Sequence, residues 1–76
     1  MAERVQVLDW QFNHFPARFR FDRGGAEVRV DAVERCWTEW VGRRRAVRYH
    51  FRVRCGAARY HLREDSASGR WLAAPA

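Results

Sequence analysis

VRYHFRVR, residues 47–54, sets an apolar or aromatic side chain at every second position (Val47, Tyr49, Phe51, Val53) and a basic one between (Arg48, His50, Arg52, Arg54). A period of two with one apolar and one polar face is the pattern of a half-buried antiparallel strand. The same alternation recurs on both sides of it. Val5 and Val7 mark a first strand over 4–10; Phe19 and Phe21 alternate with Arg18, Arg20 and Asp22. Val28 and Val30 alternate with Glu27, Arg29 and Asp31, and Tyr60 and Leu62 with Arg59, His61 and Arg63. Turn residues separate these runs: Arg23-Gly24-Gly25, Cys55-Gly56-Ala57-Ala58 and Ser66-Ala67-Ser68-Gly69 read as hairpins, and Gly42 with Arg43-Arg44-Arg45 as a further loop.

The spacing therefore predicts a single small all-β domain of five or six antiparallel strands, in a curved sheet or an SH3-like barrel. Closure would remove the exposed edges that invite aggregation. The core is expected over residues 4–72, with Ala73–Ala76 as a frayed tail. One segment fits two elements. In DAVERCWTEWV, residues 31–41, Val33, Cys36, Trp37 and Trp40 suit a short helical turn around 33–40. They also suit a strand bent by a bulge that keeps both tryptophans on the core side, the better fit of the two.

At 76 residues the chain is one domain, and a domain this short buries only about 60–65% of its unfolded surface. Four Trp, five Phe and two Tyr offset that shortness, since each large aromatic can bury roughly 150–250 Å². Cys36 and Cys55 form no CxxC pair and no zinc-spaced cluster, so neither metal nor cofactor is expected, and the thiols read as reduced, packed apolar groups. MAERVQVLDW lacks the continuous apolar core of an export signal, and no apolar run approaches the roughly 18–20 residues that cross a bilayer. The expectation is a cytoplasmic protein with no membrane association.

Charge is unevenly spread. All 15 basic residues are Arg; residues 1–41 hold six against seven acids, whereas residues 42–63 hold eight, with two His and no acid. Nearly all of the net charge of +6 lies in that one segment.

The order of the pieces PARFRFD (16–22), AEVRVDAVERCWTEW (26–40), YHFRVRCGAARYHL (49–62) and SASGRWLA (66–73) resembles a small bacterial family of tiny, Arg-rich, all-β proteins that end in an S-G-R-W hairpin. The likeness covers roughly residues 16–72. It implies no established activity; some members are associated with Y-family translesion DNA polymerases, which would make a DNA polymerase a partner and DNA repair the context.

The residues themselves point to polyanion recognition, DNA before RNA. Arg43, Arg44 and Arg45 on a loop, with Arg48, Arg52, Arg54, Arg59 and Arg63 on a hairpin face, would grip phosphates through planar forks, and His50 and His61 would add contacts. Glu27 and Asp31 would neutralise part of that face if their strand paired with 47–54. Phe12 and Phe15, in the loop-like QFNHFP, are candidate aromatic contacts. The competing reading is a protein-interaction module that docks through a sheet edge or an exposed aromatic patch. No nucleophile, metal or phosphate-loop spacing supports an enzyme. A dimer would cover the edge of an unclosed sheet.

Overall fold

The computed structural model describes residues 2–42 and 46–76. It is all-β, with strands β1 (Glu3–Gln11), β2 (Phe15–Phe21), β3 (Glu27–Arg29), β4 (Ala32–Val41), β5 (Ala46–Cys55), β6 (Ala58–Asp65) and β7 (Arg70–Pro75). These form one antiparallel sheet in the order β3-β2-β1-β7-β6-β5-β4. The count is seven rather than five or six. The short β3 splits off at Gly24 and Gly25, both at positive φ, where a side chain would be strained. No helical turn forms over 33–40; that stretch is β4, and a bulge at Glu34 absorbs its misfit against β5. The expected tail is strand as well: Ala73 is 1% exposed, and Ala76 N donates to Arg59 O at 2.9 Å.

The sheet is open, because β3 and β4 share no ladder, yet it is strongly rolled. Laid flat, β2 and β5 would stand about 19 Å apart, four strand spacings. Instead the rings of Phe15 on β2 and Phe51 on β5 have centroids 6.2 Å apart, and Phe19 on β2 meets Tyr60 on β6 at 5.7 Å. The chain enforces the curl: only Val30 and Asp31 separate β3 at one edge from β4 at the other, a span of about 10 Å at full stretch. Val30 N donates to Ala17 O and Asp31 N to Arg54 O, pinning the link to both flanks. The concave face holds the core of Val5, Phe19, Phe51, Val53, Leu62, Trp71 and Ala73.

Candidate nucleic-acid interface

The alternation of β5 turns Arg48, His50, Arg52 and Arg54 to the convex face, opposite the core residues Phe51 and Val53. Its ladder with β6 sets Arg48 against Asp65, His50 against Arg63, Arg52 against His61 and Arg54 against Arg59. Directly opposed residues of an antiparallel pair share a face. Seven of the ten basic residues expected from the sequence, Arg48, Arg52, Arg54, Arg59, Arg63, His50 and His61, are thus brought together. Arg43, Arg44 and Arg45 lie outside the described residues.

β4 adds a third column that sequence reasoning missed. It sets Arg35 against Arg52, Trp37 against His50 and Glu39 against Arg48. The signal was there, because two residues three apart on a strand face opposite ways. Trp37 and Trp40 therefore cannot both point to the core; they are 38% and 71% exposed. The neutralising acids also differ from those expected. Glu27 sits in β3 at the far edge, and Asp31 Oδ2 accepts from Gly56 N at 2.6 Å. Glu34 and Glu39 take that role. Glu34 Oε1 accepts from Arg59 Nε at 2.9 Å and lies 4.0 Å from Arg52. Glu39 Oε1 lies 2.9 Å from His50 Nε2 and 4.0 Å from Arg48.

At the centre is a layered aromatic cluster. His50 Nδ1 and His61 Nε2 are 2.7 Å apart with ring centroids at 4.9 Å, the bond length plus one ring radius on each side, so the imidazoles meet edge to edge. Trp37 lies flat over the pair, 2° from the His50 plane at 5.0 Å and 21° from the His61 plane at 5.4 Å. The Arg35 guanidinium stands 5.0 Å from the Trp37 ring centre, within cation–π range. This roof explains why His50 is buried on an otherwise wet face. With the Glu39 carboxylate accepting from His50 Nε2–H, His50 Nδ1 is free to accept from His61 Nε2–H. Two protonated rings would set N–H against N–H, so the contact admits at most one positive charge. Consistently, His61 titrates below the usual histidine value, chiefly through burial, with His50 and Arg63 adding and Glu39 opposing. Both nitrogens of His50 are engaged, and no group of three metal-ligating side chains occurs among the described residues.

The two aromatic candidates separate. Phe12 is 75% exposed at the tip of the β1–β2 hairpin, whereas Phe15 packs edge-on against Phe51 as part of the core margin. The cysteines also separate: both are free, Cys55 half-buried and Cys36 exposed rather than packed. No family model, curated protein or solved structure matches the chain.

Proposed function

We propose that the convex face of β4–β6 binds a polyanion, nucleic acid before others and DNA first, as a non-catalytic accessory surface. One observation carries the reading: among the described residues, Arg35, Arg48, Arg52, Arg54, Arg59 and Arg63 share that face with only Glu34, Glu39 and Asp65, six cations against three carboxylates. Exposed ion pairs are worth about 0–1 kcal/mol and exchange readily for phosphate. Only Arg59 hydrogen-bonds an acid among the described residues. Among the described residues, Arg35, Arg52 and Arg63 lie on three successive strands without a hydrogen-bonded acid.

Capture is electrostatic and reads no base. Trp37 has the histidine pair on one side and Arg35 against its ring, so it offers no free platform for stacking. Titration of the protein with a labelled oligonucleotide at two salt concentrations tests this. With four to six arginines engaged on duplex DNA, log affinity should fall against log salt with a slope of about −4 to −5. Absence of binding at low salt removes the reading; binding indifferent to salt removes its mechanism.

A further inference from the structure

On the concave side, where the core opens at one end, lies a cleft of about 400 Å³, within the size range of small-ligand sites. Trp10, Phe15, Tyr49, Phe51 and Trp71 line it, together with Glu64 and, from the β1–β2 turn, Asn13 and His14. Phe51 and Trp71 lie near-parallel, 28° apart with centroids at 5.8 Å, while Phe15 meets Phe51 at 89° and Trp10 meets Trp71 at 65°, so the outer two rings stand as walls against the inner pair. Glu64 is out of place by pattern. On β6 it follows Tyr60 and Leu62 on the apolar face, and the ladders set it directly between Tyr49 of β5 and Trp71 of β7. Among the described residues it has neither an ion pair nor a side-chain hydrogen bond.

We propose that this cleft binds a small quaternary ammonium compound, with its alkylated nitrogen held against Glu64 among the five aromatic rings. Ring faces carry negative potential and attract cations, most strongly at Trp and Tyr. A carboxylate among them adds the one full charge a cation needs. Alkylated nitrogen suits the cleft better than a primary ammonium or guanidinium, which would surrender hydrogen bonds to water that a mainly aromatic lining replaces poorly. Methyl groups on nitrogen make no such demand.

The test follows the indole signals of Trp10 and Trp71 by NMR while choline chloride is added, against equal sodium chloride and against 3,3-dimethyl-1-butanol, its uncharged isostere. Choline should give a saturable shift at both indoles, with the neutral isostere at least about tenfold weaker, the scale of a desolvated cation–π contact. Glu64→Gln should weaken choline severalfold, and so should Tyr49→Leu, whose site is 42% exposed and leaves the core intact. A peptide carrying trimethyllysine distinguishes the source: weaker binding than choline supports a free solute, and much tighter binding overturns that choice of ligand. No saturable shift from choline, or equal binding of the neutral isostere, overturns the site. Oligonucleotide affinity should be unchanged in both variants, because the cleft opens on the face opposite the arginines.

A separate observation concerns β4. The other edge strand, β3, is blunted to three residues, whereas β4 runs for ten and, among the described residues, no strand pairs with its outer side. We infer that β4 pairs antiparallel with β4 of a second copy about a two-fold axis at Trp37. That register sets Arg35 against Glu39 twice and Cys36 against Thr38 twice; sliding either way by one allowed step sets Arg35 against Trp37 or against Val41. Opposite charges placed directly across strands favour the first. Wild-type protein should sediment as a concentration-dependent dimer. Arg35→Glu and Glu39→Arg should each be monomeric alone, yet form a one-to-one heterodimer when mixed, since every cross-strand pair is then complementary. Wild-type protein that stays monomeric at all concentrations overturns the pairing, and folded variants that fail to associate on mixing overturn the register. If Glu39→Arg does not fold, Trp37→Cys with Cys36→Ala replaces it: a symmetric disulfide dimer on oxidation supports the axis, and its absence overturns it.

Discussion

Phe12 and Asn13 both hold positive φ, 56° and 59°, which is ordinary for asparagine and an outlier for a bulky aromatic. Such strain costs of the order of 1–3 kcal/mol, and an exposed ring recovers little of it by burial. Phe12→Gly is therefore expected to raise stability by about 1 kcal/mol, read as a higher urea midpoint; a lower midpoint would mean the ring packs after all. The sequence marked QFNHFP as irregular but could not foresee this conformation, because positive φ there would be assigned to Asn13 alone. A second residue-scale effect belongs to His61. Its folded-state value lies below the ordinary 6.5, so between the two the unfolded chain binds more protons and stability rises with pH. The contribution is complete above about pH 6.5 and is lost as the pH falls toward the folded value. The urea midpoint should therefore drop between about pH 7.5 and pH 5, and His61→Gln should flatten that drop. An unchanged slope in the variant would assign acid sensitivity to other groups.

At the scale of elements, what was legible depended on whether a strand is covered on one face. β5, and β6 as far as Arg63, alternate because one side meets the core, so their basic columns could be read residue by residue. β4 could not. As an edge strand beyond the core it is exposed along nearly all its inner positions, and the pressure that sorts apolar from polar residues is weak there. Its helix-like spacing of Val33, Cys36, Trp37 and Trp40 is the result of the bulge at Glu34 and of tryptophans left on both faces. The two thiols report this difference directly. Cys55, facing the core margin, is pushed up to about 11 by burial and by the Asp31 carboxylate, whereas Cys36 stands exposed on β4. Thiolate is the reactive form, and at about pH 8 Cys55 holds on the order of one part in a thousand of it. A maleimide reagent should modify Cys36 rapidly and Cys55 only when the protein is unfolded. Equal rates for the two would contradict the packing of the β5–β6 hairpin against the core.

Across the whole molecule, alternation predicted an all-β domain but not its strand order, since pairing β1 with β7 and leaving β3 and β4 at opposite edges is a property of connections. The two-residue link between β3 and β4 draws those edges together and rolls the sheet, and the roll decides the division of labour. Bulky rings fill the narrow inside, while the outside fans the side chains of β4, β5 and β6 away from one another. Fanning lowers the mutual repulsion of Arg52 and Arg63 in the free protein and leaves each able to reach a phosphate. Arg48 and Arg52 supply the decisive test because their ion pairs, both at 4.0 Å, are long and exposed. Arg48→Ser combined with Arg52→Ser should leave the urea midpoint within about 1 kcal/mol of wild type. It should weaken oligonucleotides of different sequence alike and reduce the salt slope by about two, one for each phosphate contact removed. A variant that folds but keeps the wild-type slope would move the binding surface elsewhere. One that unfolds would show that these arginines serve the sheet through Glu34 and Glu39 rather than a ligand.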